Sequence, residues 1–319
     1  MNSVTDKGPV ANKGSAANKS LINGIKADYL NVNDRSIHYG DGLFETILCS
    51  DNKLYYWRQH FNRLLQSAEK LQLPCADVQA LEQQLLDDAS LLLAAHNKID
   101  QKSIDHNNFS IKIILTRGTG ERGYQYKKNS RLNRLVFLSE INKDYSALLS
   151  GKMSAGELLI CKQQVSINAS LAGLKHLNRL DNVLARNEWG GHVDNNKTSK
   201  NIIDGLMLNA NGFVIEGTMS NLFAVKDKQL FTPDISQSGI KGVMRDVIID
   251  IAQGQNIKLS IKNITLEELK DMDEIFISNS LIGIKSVNKL DGVLFNTRDL
   301  TNKIFDDLIE TKDRHVQVI

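Results

Sequence analysis

The feature that most restricts what this chain can fold into is a change of hydrophobic period that recurs in both halves. Leu43 to Cys49 and Leu54 to Tyr56 read as strands around the polar turn Ser50-Asp51-Asn52-Lys53. Trp57, Phe61, Leu64, Leu65, Ala68 and Leu71 then recur at helical spacing until Pro74 ends the pattern. Val78 to Ala95 predicts a second amphipathic helix, His96 to Asn108 a polar loop, and Phe109 to Thr116 and Leu135 to Leu138 further strands. In the second half, strands are expected over Leu158 to Ile167, Gly205 to Leu208, Asn221 to Val225 and Glu274 to Ser278. Helical spacing covers Leu174, Leu177, Leu180 and Leu184, then Val243 to Ala252 and Leu300 to Ile309, and Thr265-Leu266-Glu267-Glu268 matches a capping box. This mixture predicts α/β (α+β) layering.

A chain of 319 residues is long enough for two domains or one large α/β unit. Residues 142–152 are polar and weakly periodic, and are the expected linker between an N-terminal α/β domain over 21–141 and a C-terminal domain over 153–319. Residues 1–20 have no apolar core of the kind a secretory signal needs, and are expected to be a disordered tail. A polar insert spans Asp194 to Asn201.

Charge excludes some functions. Lys and Arg total 39 against 37 Asp and Glu, too balanced for a surface that works by displacing counterions from a nucleic acid. No apolar run approaches the roughly 18 to 20 residues that cross a bilayer, so a soluble protein is expected. Cys49, Cys75 and Cys161 lie far apart without paired histidines, which argues against a disulfide framework or a metal site and for free thiols in a reducing cytoplasm.

The familiar phosphate and nucleophile motifs, G-x-G-x-x-G, G-x-x-x-x-G-K-[ST] and G-x-S-x-G, are absent. Four weaker signals remain. Lys175 lies among Leu171, Ala172, Leu174 and Leu177, where desolvation would favour a neutral, nucleophilic amine; taken alone, it also reads as a surface lysine at a helix start. Glu216 ends the apolar run Phe213-Val214-Ile215, where an inward carboxylate needs a cationic partner, unless it is a plain strand-end residue. Gly239-Ile240-Lys241-Gly242 precedes a helix whose N-terminus could hold a phosphate, or is an ordinary junction. Arg63, beside Phe61, could bond the same phosphate or sit on a solvated helix face. Together an imine-forming amine, a carboxylate for a pyridinium nitrogen and a phosphate cradle are the parts that pyridoxal 5'-phosphate requires.

These residues also carry a family resemblance. Val32-Asn33-Asp34-Arg35, His38 to Thr46, His60 to Leu64, Glu216-Gly217, Ser220 to Phe223, Thr232-Pro233 and Gly239 to Arg245 resemble the fold-type IV pyridoxal-phosphate enzymes, which include branched-chain and D-amino-acid aminotransferases. Within that family, Leu171 to Leu180 and Thr116 to Tyr124 most resemble the lyases that act on 4-amino-4-deoxychorismate. The likeness runs from about Leu21 to the C-terminus.

The resemblance implies a C-terminal pseudo-barrel domain and a homodimer with the cofactor between domains. It implies that Lys175 condenses with the cofactor aldehyde, that Glu216 contacts the ring nitrogen, and that Arg63 with the backbone of Ile240 and Lys241 holds the phosphate. Asn279 and Ser280 match a further phosphate-side segment. In the lyase reading Lys175 is also the general base, and Thr46, where branched-chain aminotransferases usually carry glycine, is a proton relay unless it is only a strand threonine. Arg117, with Arg122 and Tyr39 as weaker candidates, would bind the carboxylates of a dianionic substrate. The expected reaction gives 4-aminobenzoate and pyruvate, a step of folate biosynthesis. A class IV aminotransferase and a non-catalytic cofactor-binding protein are the alternatives.

Overall fold

The structure is a computed structural model that describes residues 20–27, 29–99, 108–127, 130–190 and 201–319. Residues 1–19 of the expected N-terminal tail and 194–200 of the insert therefore lie outside the described residues, whereas Ser20, expected in the tail, opens the first strand.

The first half builds a sheet from β1 (Ser20–Ile22), β2 (Ile25–Lys26), β3 (Gly42–Ser50), β4 (Lys53–Tyr55), β5 (Asn108–Thr116) and β6 (Asn133–Glu140). The β3–β4 hairpin pairs Ser50 with Lys53 and turns through Asp51 and Asn52, both at positive φ. Such a two-residue turn favours Asp and Asn because they tolerate the left-handed region and its twist matches that of the strands. α1 (Arg35–Tyr39) precedes β3, and α2 (Trp57–Lys70) and α3 (Val78–Ile99) cover one face of the sheet. α2 buries Trp57, His60, Phe61, Leu64, Ser67 and Ala68 on one stripe. A leucine-rich core lies between these helices and β3, β5 and β6. α3 runs to Ile99, past the Ala95 end expected from periodicity.

The segment expected as a linker does connect the two sheets, but it is structured. It holds α4 (Ala147–Ser150), whose Ala147 and Leu148 are buried in the core between the halves. The second half contains β7 (Ala155–Ile160), α5 (Leu180–Gly190), β8 (Ile202–Leu208), β9 (Phe213–Gly217), β10 (Asn221–Lys226), β11 (Gln229–Pro233), α6 (Val243–Gly254), β12 (Leu259–Lys262) and β13 (Ile264–Thr265). It ends with α7 (Leu266–Lys270), β14 (Glu274–Asn279), β15 (Gly283–Leu290), β16 (Val293–Leu294), α8 (Asp299–Thr311) and β17 (Val316–Val318). α7 opens with the expected reciprocal bonds between Thr265 and Glu268.

The expected pseudo-barrel is present. β10, β14, β15, β7, β8 and β9 follow one another by hydrogen bonding, and β9 returns to β10 through the pair Glu216–Asn221, closing a ring. Leu158, Leu206, Val214, Leu222, Ala224, Ile277 and Val287 fill its interior. α6 and α8 pack outside it, where Phe223, Phe276 and Ile284 meet Leu48 and Tyr56 of the first half. β17 does not stay with the second half: it pairs with β4, so the chain ends as an edge strand of the first sheet.

Candidate active site

A cavity of about 300 Å³ opens between the two halves, at the end of the barrel where β9 meets β10. Its size is at the lower end of small-molecule sites. Phe44 and Thr46 of β3 and Arg63 of α2 form one wall; Lys175, Arg179 and Glu216 form another.

Lys175 is not at a helix start. Its segment is extended, and α5 begins only at Leu180. The leucine spacing that suggested a helix is overridden by backbone bonds on two sides. Phe44 N donates to Lys175 O at 2.9 Å and Leu177 N to Gly42 O at 3.0 Å, while Gly173 N donates to Gly239 O at 2.9 Å and Lys241 N to Gly173 O at 3.1 Å. The lysine is therefore fixed to the first sheet and to the loop before α6 at once. Its Nζ lies 4.4 Å from the centroid of the Phe44 ring. Burial, aided by the Arg63 charge, pushes the amine down to about 8 against the pull of Glu45 and Glu216.

Glu216 is 2% exposed. Its Oε2 accepts from Ile240 N at 2.8 Å, and its buried Oε1 has no hydrogen-bond partner among the described residues. Burial pushes this carboxyl up to about 7, despite the Ile240 amide and the charges of Arg179 and Lys175. The loop that reaches it needs Gly239: φ is +86°, and a Cβ there would sit 2.7 Å from Ile215 Cγ2 and 3.2 Å from Glu216 Oε2.

Arg63 is oriented by a carboxylate that sequence reasoning did not single out. Glu45, also buried, accepts from Arg63 Nε at 2.8 Å, from Arg63 Nη2, and from His60 Nδ1 at 2.6 Å. Burial opposes ionisation of Glu45, but the charges and bonds of Arg63 and His60 hold its carboxyl down at about 2. Arg63 Nη1 donates to Lys241 O at 2.8 Å. The amides expected to hold a phosphate are both engaged: Ile240 N serves Glu216, and Lys241 N serves Gly173. The Lys241 ammonium turns instead to Asp246. The donors that remain at this end are in the first turn of α6, where Gly242 is the N-cap and no side chain caps the helix. A Cβ on Gly242 would collide with the Asn221 side chain. Asn279 and Ser280 border the same cavity, but Asn279 Oδ1 is committed to the Leu281 and Ile282 amides and its Nδ2 to Met219 O.

The expected proton relay borders the cavity and the three expected substrate ligands do not. Thr46 lines the cavity with Lys175. Arg117 does not: its Nε and Nη2 bond Asp41 at 2.8 and 3.1 Å, and its Nη1 and Nη2 bond the carbonyls of Gln72 and Leu71 at 2.6 and 2.7 Å. With Tyr126 stacked on its guanidinium and four of its five N–H groups engaged, Arg117 is a buried anchor for the loop after β5, and it does not border this cavity. Tyr39 accepts from Gly123 N within that loop, and Arg122 is exposed on it. Neither borders this chain's own cavity.

Arg179, Asn182 and Tyr145 border it without having been expected to. So does the turn Thr218-Met219-Ser220, held by buried Asp204, which accepts from Thr218 N, Thr218 Oγ1, Met219 N and Ser220 Oγ. No local pattern marks Asp204 as the holder of this turn, since the turn groups it binds lie fourteen to sixteen residues away.

The residues present fit pyridoxal 5'-phosphate. A depressed amine can form the imine, an unpartnered buried carboxylate oxygen can meet the ring nitrogen, and an arginine with a helix N-terminus can hold the phosphate. The chain is 32% identical over 268 residues to the aminodeoxychorismate lyase of Vibrio harveyi, covering 84% of this chain and 89% of that protein. It is 28% identical over 278 residues to a putative branched-chain-amino-acid aminotransferase of Methanocaldococcus jannaschii, covering 86% and 88%. The structure of 4-amino-4-deoxychorismate lyase from Pseudomonas aeruginosa superposes with a TM-score of 0.77 at 34% identity, over 92% of this chain and 99% of that one. The family model for class IV aminotransferases matches residues 42–290, and the chain belongs to that family, whose cofactor is pyridoxal 5'-phosphate.

Proposed function

We propose that the protein is a lyase that converts 4-amino-4-deoxychorismate to 4-aminobenzoate and pyruvate. The observation that carries this reading is the Thr46 hydroxyl on the cavity wall beside Lys175, in a chain whose relatives include lyases of that name. When bound, the cofactor supplies a cationic ring into which the electrons of a breaking C–H bond can move. Glu216 would be the residue that keeps that ring protonated, because a cationic partner at its free oxygen would bring the carboxyl down from about 7 and make it an anion. Lys175 would be the residue that holds the cofactor covalently, and its amine, brought down to about 8, would be the base that takes the C–H proton of the substrate ring. Thr46 passes a proton to the ether oxygen as the C–O bond breaks and enolpyruvate departs. Product atoms balance those of the substrate, and aromatisation drives the step.

A homodimer between whose domains the cofactor sits belongs to this reading. Arg122 lies on an exposed loop outside this chain's cavity, so it would bind a substrate carboxylate only across such a dimer. The buried, unpaired Cys49 and Cys161 suit a reducing cytoplasm. The aminotransferase reading is favoured by the similarity to branched-chain enzymes.

Purified holoenzyme incubated with 4-amino-4-deoxychorismate is expected to release pyruvate and 4-aminobenzoate in equal amounts. Lys175→Ala is expected to lose both the imine absorbance and the turnover. Interconversion of keto and amino acids without an aromatic product would establish the transaminase, and cofactor uptake with neither reaction a non-catalytic binder.

A further inference from the structure

A dianionic substrate brings two carboxylates into the cavity, and the cations on the cavity wall already have anionic company. Lys175 has Glu45 and Glu216 as charge partners, Arg179 has Glu216, and Arg63 is bonded through Nε and Nη2 to Glu45. One more cation stands next to the wall, at the mouth of the barrel. Lys285 of β15 pairs with Ile277 of β14, so its side chain shares the inward face of the barrel with that residue. The residues that follow Ile277, Ser278 to Leu281, border the cavity. Lys285 Nζ lies 5.0 Å from the centroid of the Tyr145 ring, and Tyr145 is itself part of the cavity wall.

Among the described residues the Lys285 ammonium has no ion pair and no hydrogen bond; its contact is with the face of that ring. Burial lowers its amine, and the charge of Asp204 raises it. Asp204 does not bond it, because its two oxygens accept from Gly205 N, Thr218 N, Thr218 Oγ1, Met219 N and Ser220 Oγ. A ring face attracts an ammonium without replacing a carboxylate. Three N–H groups of a half-buried cation are therefore left for solvent or for a ligand beside the cavity.

We propose that Lys285 is a specificity-determining residue that receives the carboxylate opposite the amine on the substrate ring, the one retained in 4-aminobenzoate. The proposal rests on the lyase reading. With the amine at Lys175 and the ether at Thr46, this carboxylate is the end of the substrate that neither residue serves. The flexible four-carbon stem of lysine lets the ammonium pass the edge of Tyr145 to meet it. An α-amino acid carries its carboxylate beside the amine and has nothing to place there, so Lys285 favours the lyase substrate over those of a transaminase.

The test measures turnover of 4-amino-4-deoxychorismate by the holoenzyme and by its Lys285→Met and Lys285→Arg variants, with inhibition by 4-aminobenzoate and by its uncharged amide, 4-aminobenzamide. A charge-assisted hydrogen bond is worth roughly tenfold to a hundredfold in affinity. Lys285→Met is expected to raise KM by about that factor with little change in kcat or in the imine absorbance, and Lys285→Arg to stay near wild type. The wild-type enzyme is expected to bind the acid more tightly than the amide by the same factor, and Lys285→Met to lose that preference. An unchanged KM in Lys285→Met overturns the proposal, as does an acid preference that is absent from the wild type or survives the substitution. Should Lys285→Met fail to fold, Lys285→Gln is read in the same way, and failure of that variant too marks the lysine as structural and overturns the proposal. A wild-type holoenzyme that releases no 4-aminobenzoate would instead remove the lyase reading itself.

Discussion

Lys175 and Glu216 line one cavity, and each is shifted toward its neutral form chiefly by burial. Their effects on the stability of the cofactor-stripped protein have opposite signs. Glu216 is raised from 4.5 to about 7, so its favourable contribution is complete below about pH 4.5 and is lost as the pH rises through 7. Lys175 is lowered from 10.5 to about 8, so its contribution is complete above about pH 10.5 and is lost as the pH falls through 8. The stripped protein is therefore expected to have a dip in its thermal midpoint between about pH 7 and 8, and Glu216→Gln is expected to flatten the acid side of the dip. Scanning calorimetry across about pH 5.5 to 9 checks this, and a profile unchanged by Glu216→Gln would contradict it. Addition of cofactor neutralises both penalties and is expected to fill the dip.

At the scale of elements, the turn Thr218-Met219-Ser220 between β9 and β10 depends on one carboxylate in β8. Asp204 gives that turn four of its hydrogen bonds. Asp204→Ala strands those donors in a buried place and is expected to cost about 2–4 kcal/mol by denaturant unfolding. It is also expected to weaken cofactor uptake, because the turn borders the cavity; an unchanged denaturant midpoint would refute the claim. This device was not legible in the sequence, and the reason is general. Features closed within a few residues could be read directly: the β3–β4 hairpin from Asp51 and Asn52, the stripe of α2, and the Thr265–Glu268 cap. Features closed across the chain could not. The segment holding Lys175 has helical leucine spacing, yet the edges of Gly42 and Gly239 capture its backbone. Arg117 has the chemistry of a substrate ligand, but Asp41 and two carbonyls consume it first. Lys175, Glu216, Arg63 and the Gly239–Gly242 loop were legible as a set because together they name a cofactor, and Thr46 entered only through the family resemblance, whereas Arg179 and Glu45 carry no such label until the cavity is assembled around them.

For the whole molecule, the chain's last strand returns to the first sheet. β17 pairs with β4, and His315 O accepts from Tyr56 N at the start of α2. α2 carries Arg63 into the cavity. Truncation after Thr311 removes this strand and leaves the outer edge of β4 unpaired, while β4 keeps its pairing with β3, and it is expected to lower Tm by several degrees, at about 2–4 °C for each kcal/mol lost. Cofactor affinity should fall with it, measured by absorbance titration. A truncated protein with the wild-type Tm and affinity would mean that the strand is only an ornament of the sheet.

The double attachment of the lysine segment also limits how the enzyme can move. A lysine segment pinned to β3 on one side and to the loop before α6 on the other acts as a rivet through both plates of the molecule. Swinging the plates apart would shear the rivet, because the backbone bonds to Gly42 and Phe44 and those to Gly239 and Lys241 would have to break together.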